Sequence, residues 1–207
     1  MDGDRLAWIY SASNPDELRD RYQDWAEEYD TDLEQMHWRA PRACAERCHH
    51  FAGAHANVLD AGCGTGLVGS HLRELGVGRL VGFDLSPAML ARAADRGVFD
   101  ELHLGSLLDP LPFAAAGFDA VVSAGVFTFG HVGPSALSGL VAVVRRGGHL
   151  VMTFRDDVVE SLGYGEELRR LQDTGIIRLL ERTEPAPLIV EEGSGADMRV
   201  WTWSVLA

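Results

Sequence analysis

The sequence contains no lysine, so all 18 of its basic residues are arginine, and 31 acidic residues leave a net charge of −13. Without an ε-amine, neither a lysine Schiff base nor the lysine of a phosphate-binding loop is available. A chain this acidic, with no basic patch, is repelled by phosphate backbones. The composition therefore predicts that nucleic acid is not a partner.

Long apolar stretches are also missing. No segment approaches the roughly 18–20 apolar residues of a membrane span, and the acidic start M-D-G-D-R-L-A-W-I-Y has no signal-peptide core. Three cysteines, an odd count, argue against a disulfide framework. We therefore expect a cytoplasmic protein without a membrane partner. At 207 residues, the chain is expected to form one domain.

The sequence contains possible metal ligands, but their spacing does not suit a metal site. Cys44 and Cys48 share one face of a predicted helix, whereas His49 and His50 follow directly and point in other directions. Four tetrahedral ligands cannot come from one helix in this way. We predict buried thiols at these positions and no metal site.

Short apolar runs alternate with helical patterns through most of the chain. The runs that predict strands are 57–61, 79–84, 101–105, 118–124 and 148–154. Helical spacing lies between them, for example at Val68, Leu72 and Leu75. Alternating strands and helices imply a parallel sheet with helices on both faces.

The N-terminal part departs from this alternation. Asn14-Pro15-Asp16-Glu17 is typical of a helix start, and the helix it opens would carry three aromatic residues, Tyr22, Trp25 and Tyr29. A second helix is predicted from near Pro41 to Phe51. Residues 1–53 are therefore predicted to form a helical cap on a core of residues 54–207.

The C-terminal part departs from it as well. One helix over 157–173 is predicted to precede strands at 176–183 and 198–206, which would close the sheet as an antiparallel hairpin. The stretch 184–197, rich in Pro and Gly, predicts a mobile loop. The predicted fold class is thus α/β, a doubly wound, mostly parallel, Rossmann-like sheet of about seven strands.

Three glycines, Gly62, Gly64 and Gly66, directly follow the first of these strands in N-V-L-D-A-G-C-G-T-G. A glycine loop between strand and helix lets the backbone approach a ligand closely. Asp84 ends the next strand, about 20 residues after the first glycine, where an acid can bind both hydroxyls of a ribose. A turn that merely needs glycine is the alternative, but the combination favours a nucleoside-bearing cofactor.

Asp60, just before the loop, indicates which nucleoside. The spacing is G-x-G-x-G, which differs from the dinucleotide pattern G-x-G-x-x-G. A carboxylate here would repel a pyrophosphate, whereas it would attract the sulfonium and ammonium groups of S-adenosylmethionine. We therefore predict S-adenosylmethionine as cofactor and S-adenosylhomocysteine as product, and a nucleotide-dependent oxidoreductase is disfavoured.

Longer motifs resemble a known family. D-A-G-C-G-T-G, G-F-D-L-S-P-A-M-L and P-L-P-F-A-A-A-G-F-D-A-V-V-S, within about residues 55–155, resemble the class I S-adenosylmethionine-dependent methyltransferases. Y-Q-D-W-A-E-E-Y-D, W-R-A-P-R and G-V-F-T-F-G-H-V are similar to the Williams–Beuren-region methyltransferase-like group and its bacterial relatives. The resemblance implies methyl transfer but does not name an acceptor. The acidic composition and small cap favour a small-molecule acceptor.

The resemblance also implies which residues bind the cofactor. In chain order they are Tyr22, Trp25, Tyr29, Arg39, Asp60, Gly62, Cys63, Gly64, Gly66, Asp84, Leu85, Met89, Ser106, Leu107 and Ala124. Asp84 would bind the ribose hydroxyls, Leu85 and Met89 would flank the adenine, and Ser106 and Leu107 would meet its edge. Many relatives have an acid at the position of Ser106, so this contact is weaker here.

Two of these assignments have structural alternatives. The three cap aromatics would cover the methionine end of the cofactor, where an aromatic face suits a sulfonium, but their spacing also suits packing onto a core. Arg39 could pair with the cofactor carboxylate or remain solvated.

The acceptor side is less clear from sequence. Methyl transfer is an in-line displacement that needs alignment, exclusion of water and, for some acceptors, a base. His131, in the loop after the fourth predicted strand, is a candidate base or a structural histidine. Phe127, Phe129, Trp201 and Trp203 could line an acceptor pocket or belong to the core. A protein that binds the cofactor without transferring methyl is the alternative function.

Overall fold

The computed structural model describes residues 2–187 and 197–207. The helices are α1 (Asp2–Tyr10), α2 (Pro15–Trp25), α3 (Tyr29–Gln35), α4 (Ala40–Ala52), α5 (Leu67–Glu74), α6 (Pro87–Arg96), α7 (Ala136–Val143), α8 (Asp156–Ser161) and α9 (Tyr164–Asp173). The strands are β1 (Asn57–Ala61), β2 (Arg79–Asp84), β3 (Glu101–Leu104), β4 (Phe118–Ser123), β5 (Val144–Arg155), β6 (Ile177–Arg182), β7 (Ala186–Pro187) and β8 (Asp197–Val205).

One mixed sheet organises the fold, with strand order β3-β2-β1-β4-β5-β8-β6 and the two-residue β7 paired to β8. Pairing is parallel from β3 to β5, and β8 runs antiparallel to both β5 and β6. This confirms the predicted fold class and its C-terminal antiparallel hairpin. The strand order reverses between β1 and β4, which creates the crevice where ligands bind in such sheets.

Apolar clusters cover both faces of the sheet, as a doubly wound arrangement requires. Alternate residues of β1 point to opposite faces. Leu59 joins the cluster that contains α7 and α9, and Val58 joins the cluster that contains α4 and α5. Each βα unit therefore buries a strand from both sides, which explains the nearly unbroken apolar runs in the sequence.

The helices α1–α3 form the cap, with a small core of their own. Trp25 is buried among Ile9, Leu33 and Met36, and its indole N–H donates to Asp32 at 2.6 Å. The sequence-based boundary at residue 53 also assigned α4 to the cap. The structure instead packs α4 on the sheet, because its small buried face, including Cys44 and Cys48, fits closely against β4 and β5.

Two helices expected to be continuous are broken. The helix that starts at Asn14 ends at Trp25, so Tyr29 opens α3 rather than continuing the same helix. The predicted helix 157–173 is two helices, because Gly163 at the start of α9 has φ of +80°, which helical geometry does not allow. In both places the helical pattern of the sequence continues across the break, but the chain forms two short helices because each packs separately onto the core.

Residues 188–196, which make up most of the predicted mobile loop 184–197, lie outside the described residues. Within the part of the chain that the structure covers, no helix has the length and apolar character that crossing a membrane requires.

Candidate functional site

A cavity of about 730 Å³ lies at the carboxyl ends of β1–β4, in the crevice made by the reversal of strand order. This volume includes space that is open to solvent. The loops that follow these four strands form its floor, and α2 and α3 of the cap form its roof. The lining residues are Pro15, Leu18, Tyr22, Tyr29, Gly62, Gly64, Phe83, Asp84, Leu85, Met89, Gly105, Ser106, Leu107, Leu108, Ala124, Gly125, Val126, His131 and Val132.

The glycine loop after β1 requires glycine at two of its positions for different reasons. Gly62 has φ of +74°, and a Cβ there would lie 2.3 Å from a methyl group of Val126. Gly64 has φ of +53°, and a Cβ there would meet no atom within 4 Å. The first glycine thus lets the β1 and β4 loops approach each other, and the second leaves open space at the cavity wall.

Asp84, at the end of β2, anchors this loop. Its two carboxylate oxygens accept hydrogen bonds from the backbone N–H of Gly64 at 2.8 Å and of Ser86 at 2.9 Å. Burial raises the pKa of the carboxyl, and these backbone N–H groups oppose that shift. Each oxygen keeps a further lone pair, so the side chain can hold the loop and still accept two hydroxyl groups from a ligand.

Asp60 lies beneath the loop, in a different position from the one expected. The sequence-based argument placed its charge beside the cofactor, whereas the structure buries the side chain completely, with neither oxygen hydrogen-bonded within the described residues. Burial, and secondarily the charge of Asp84, raises its pKa to about 8, and the nearby Gly69 backbone offsets this only in part. The free protein therefore holds Asp60 protonated at neutral pH.

The cap aromatics divide into two groups. Tyr22 and Tyr29 line the cavity, with ring centroids 6.2 Å apart in an edge-to-face arrangement. Trp25, which belongs to the core of the cap, supports Tyr29 edge-on at a centroid distance of 4.7 Å. Of the two alternatives from the sequence, Tyr22 and Tyr29 line the cavity and Trp25 packs in a core. The break after α2 turns Tyr29 back toward the sheet.

The cap is fastened to the glycine loop by polar contacts. Asp30 accepts a hydrogen bond from the Thr65 hydroxyl at 2.5 Å and forms an ion pair with Arg96. Arg96 also donates to the carbonyl of Thr65 at 2.6 Å. The amide N–H of Ala88, in α6, donates to the Gln23 side chain at 3.1 Å. Cap, glycine loop and α6 are therefore linked around the cavity.

His131 lines the cavity but both its ring nitrogens are engaged. Nδ1 lies 2.8 Å from the carbonyl of Phe129, and Nε2 lies 2.7 Å from the hydroxyl of Tyr22. A carbonyl can only accept, so Nδ1 carries the proton and Nε2 accepts from Tyr22. Burial lowers the pKa of His131 to about 4, with a partly opposing contribution from the Phe129 carbonyl.

The four residues that the resemblance assigns to the adenine all line the cavity. Leu85 and Met89 come from the segment after β2, and Ser106 and Leu107 come from the loop after β3. The Ser106 hydroxyl accepts a hydrogen bond from the backbone N–H of Leu108 at 3.2 Å. It therefore serves a local turn and keeps a lone pair for a ligand.

Three further predicted residues lie away from the main cavity. Cys63 lines a smaller pocket behind the glycine loop, and its buried sulfur faces Gly82 of β2. Gly66 starts α5, where the Phe99 ring leaves no room for a Cβ. Arg39, at the start of α4, lines an open cleft that adjoins the smaller pocket through Trp38. The structure thus brings Ala124 and most of the other predicted residues together and separates these three.

Sequence reasoning missed several apolar residues of the wall, among them Pro15, Leu18, Leu108, Val126 and Val132. Leu18 could have been found, because it lies four residues before Tyr22 on the same helix face. Pro15 is the first residue of α2, and Leu108, Val126 and Val132 lie in loops whose course no periodicity describes. Trp203 and Phe127 are fully buried in the core, and Phe129 and Trp201 pack against that core.

The charge of the lining is distinctive. Among residues 2–187 and 197–207, Asp84 is the one charged side chain on the cavity wall, since His131 is neutral. A pyrophosphate would find no cation in this wall to offset its charge. A sulfonium would find one carboxylate and the faces of two tyrosines. The residues present therefore fit S-adenosylmethionine and do not fit a dinucleotide.

Comparison with known proteins agrees with this geometry. A family model described as a methyltransferase domain matches residues 59–152. Methyltransferase-like protein 27 of Homo sapiens is 36% identical over 163 residues, which cover 75% of this chain and 66% of that protein. The 18S rRNA (guanine-N(7))-methyltransferase of Bos taurus is 47% identical over 66 residues, which cover 32% of this chain and 23% of that protein.

The fold is shared with a solved methyltransferase from Haloferax volcanii, which forms a complex with the Trm112 methyltransferase activator. The TM-score is 0.70 at 20% identity, over 90% of this chain and 98% of that one. At this identity the likeness concerns the fold alone. The chain spans 66% or less of the lengths of the two curated relatives. The matched domain and the human relative show that the chain belongs to the S-adenosylmethionine-dependent methyltransferase family, and its fold is that of class I.

Proposed function

We propose that this protein transfers the methyl group of S-adenosylmethionine to a small, uncharged acceptor. One observation supports the proposal: the cavity at the strand-order reversal has Asp84 at the end of β2 as its one charged side chain among the described residues. The cofactor supplies an activated methyl group, so the protein needs to align the acceptor and exclude water. The cavity under the cap provides both.

Each wall of the cavity has a part in holding the cofactor under this proposal. Asp84 accepts the two ribose hydroxyls while its backbone hydrogen bonds keep the Gly64 loop in place. Leu85 and Met89 contact one face of the adenine. Tyr22 and Tyr29 present their ring faces to the sulfonium side, and Arg39, in the adjoining cleft, is the available cation for the cofactor carboxylate.

A small acceptor is favoured over a macromolecule by charge and by shape. The curated relatives include rRNA methyltransferases, but this chain has a net charge of −13 and no lysine. Phosphate backbones bind proteins mainly through arginine and lysine clusters. The cap also roofs the cavity with α2 and α3, which leaves space suited to a compact molecule rather than to an extended polymer.

Two measurements test the proposal. S-adenosylhomocysteine is expected to raise the melting temperature of the pure protein, because a ligand that binds the folded state stabilises it, whereas NAD is expected to leave it unchanged. Methyl-labelled S-adenosylmethionine is then incubated with a metabolite extract and, separately, with ribosomal RNA. Label in a small product supports the proposal, and label in RNA alone contradicts the acceptor class.

A cofactor-binding protein without transferase activity is the second possibility. It predicts stabilisation by S-adenosylhomocysteine without label in any product. Stabilisation by NAD alone would contradict both possibilities, because it would require an anion-binding wall that the described cavity lacks.

The buried Asp60 makes a separate prediction about pH. Because its pKa is raised from 3.8 to about 8 in the folded protein, the folded state holds more protons than the unfolded state between these two values. The free energy of unfolding of the free protein is therefore expected to fall as pH rises through that window, by up to about 1.4 kcal/mol per unit. Thermal denaturation at several pH values measures this slope.

The control for this prediction is Asp60→Asn, which cannot titrate. The titratable groups that face Asp60 are Cys44 and Cys48 of α4, Cys63 of the glycine loop and Asp84 of β2. Burial raises the pKa of all three thiols, which stay neutral in this range. The variant is therefore expected to show a much flatter pH dependence, with a residual slope from Asp84. An equally steep slope in Asp60→Asn would show that Asp60 is not protonated in the free protein.

A further inference from the structure

Tyr22 and His131 form a hydrogen-bonded pair across the cavity, between the cap and the loop after β4. The Tyr22 hydroxyl lies 2.7 Å from His131 Nε2, and the two rings meet edge-on at a centroid distance of 5.7 Å. Both residues line the cavity. The pair therefore stands where an acceptor molecule would enter between cap and cofactor.

The hydrogen bonds determine which residue of the pair donates and which accepts. His131 Nδ1 donates to the Phe129 carbonyl at 2.8 Å, so the lone pair of the ring is on Nε2 and points at Tyr22. Tyr22 therefore donates its proton to Nε2, and the lone pairs of its oxygen remain available to accept a hydrogen bond. The Phe129 carbonyl keeps the ring in this tautomer, as an orienting acceptor does for a general base.

We propose that Tyr22, backed by His131, is the catalytic residue that takes the proton from an uncharged acceptor carrying an O–H or N–H group. This inference rests on the proposed methyl transfer and deepens it by naming the proton acceptor and the acceptor class. His131 acts through Tyr22 as a positioning and proton-storing residue. The sequence had suggested His131 as a base in direct contact with the acceptor, whereas the hydrogen bonds put Tyr22 between them.

Atoms and charge balance in this step. The acceptor oxygen or nitrogen forms a bond to the methyl carbon, and the carbon–sulfur bond breaks with its electron pair remaining on sulfur. The acceptor proton moves to the Tyr22 oxygen while the Tyr22 proton moves to Nε2 of His131. The products are the methylated acceptor, a neutral thioether and an imidazolium, which later returns its proton to water.

The charge of the buried site before and after the step favours this proton transfer. The site begins with one positive charge on sulfur and ends with one on His131, so burial does not have to accommodate an additional charge. Burial lowers the pKa of His131 to about 4, which keeps the ring neutral and its lone pair available before transfer. A weak base suffices for a hydroxyl acceptor, because an oxygen that has just gained a methyl group is strongly acidic. The same holds for an N–H group whose nitrogen lone pair is conjugated, as in an amide, but not for a simple amine.

The same surroundings limit the acceptor. Within the described part of the chain, the cavity wall includes Leu18, one turn before Tyr22, and Val132, next to His131, and it contains no cation to hold a carboxylate or phosphate. An apolar acceptor with one hydrogen-bond donor satisfies both the wall and the free lone pair of Tyr22.

The test compares three variants in the labelled-methyl assay, with a metabolite extract as acceptor source and saturating S-adenosylmethionine. Tyr22→Phe keeps the ring and removes the hydroxyl. His131→Gln can still accept from Tyr22 but cannot take a proton. Tyr10→Phe is the matched control, because this tyrosine packs edge-on against the His131 ring at 6.0 Å and lies outside the cavity wall.

We expect labelling rates about 100-fold lower in Tyr22→Phe and His131→Gln, as for loss of general base catalysis, and an unchanged rate in Tyr10→Phe. The dissociation constant for S-adenosylhomocysteine is expected to stay within about threefold in all three, since only one uncharged contact is removed. An undiminished rate in Tyr22→Phe would overturn the inference. Full activity of His131→Gln would reduce His131 to a hydrogen-bond acceptor and overturn proton storage.

Two further readouts separate this inference from the function on which it rests. If wild type binds S-adenosylhomocysteine but labels no product, methyl transfer and the proton pair fail together. Nitrogen-15 NMR of the free protein tests the pair without any acceptor, with His131→Gln assigning the signal. A neutral ring protonated on Nδ1 supports the inference, and protonation on Nε2 would overturn it.

Discussion

Replacing Asp84 by alanine is expected to weaken binding of S-adenosylhomocysteine by at least about 100-fold. Each hydrogen bond to a charged group contributes about 1.5–3 kcal/mol, and the carboxylate is placed to accept two from a ribose. Two such bonds amount to at least about 3 kcal/mol, which corresponds to about 100-fold in the dissociation constant. Titration calorimetry on the pure protein measures the change without knowledge of the acceptor.

The loss would have a second cause that the structure makes visible. Asp84 also holds the backbone N–H groups of Gly64 and Ser86, so its removal frees the glycine loop as well as the ribose. Asp84→Asn distinguishes the causes in part, because an amide oxygen still accepts one hydrogen bond while its NH₂ cannot accept the other. Its effect is expected to lie between wild type and Asp84→Ala.

Asp100→Ala is the matched control for this experiment. Asp100 also accepts a backbone N–H, that of Leu80 at 2.7 Å, and forms an ion pair with Arg73. It lies at the opposite end of β2 from the cavity. Asp100→Ala is expected to lower stability modestly and to leave the affinity for S-adenosylhomocysteine unchanged. Equal losses in both variants would mean that affinity merely follows stability, and a small effect of Asp84→Ala would remove Asp84 from the site.

Gly62→Ala is expected to lower the free energy of unfolding by about 2–5 kcal/mol. A side chain at φ of +74° costs about 1–2 kcal/mol for a non-glycine residue. The added Cβ would also lie 2.3 Å from a methyl group of Val126, and such overpacking typically costs about 1–3 kcal/mol. For a chain of this length the melting temperature would fall by about 4–20 °C.

Two further variants separate the backbone cost from the steric cost. Gly76 has φ of +83°, and a Cβ added there would meet no atom within 4 Å, so Gly76→Ala carries the backbone cost alone. Combining Gly62→Ala with Val126→Ala removes the clashing methyl, and the double mutant is expected to be more stable than the sum of the single effects predicts. Strict additivity of the two changes would show that the clash is relieved by other movements.

The parts of the site that lie close together in sequence were the parts that sequence could predict. The strand, the glycine triplet and the acid at the end of the next strand follow from local patterns and from the rule that parallel strands end at one edge. Leu85 follows Asp84 directly and Met89 lies five positions after it, and both were assigned by the resemblance to the family. Their positions in the cavity required no knowledge of distant contacts.

Predictions that depended on contacts between residues far apart in the sequence were less accurate. Trp25 and Tyr29 share a helical spacing in the sequence, yet one is in the core of the cap and the other is in the cavity wall, because the helix breaks between them. Tyr22 and His131 are 109 positions apart, and no pattern relates them until the cap folds over the β4 loop. Asp60 looked like a charge beside the loop because sequence does not show burial.

For this protein, the order of amino acids determined the alternation of strands and helices, the glycine loop and the acid at the end of β2 that lines the cavity. These features depend on backbone geometry and hydrophobic periodicity, which act over a few neighbouring residues. Only the tertiary structure decided which carboxylate lines the cavity, which tyrosine meets the histidine and which ring nitrogen carries the proton. Those properties depend on burial and on hydrogen bonds between segments far apart in the chain, and these exist only once the cap has packed against the sheet.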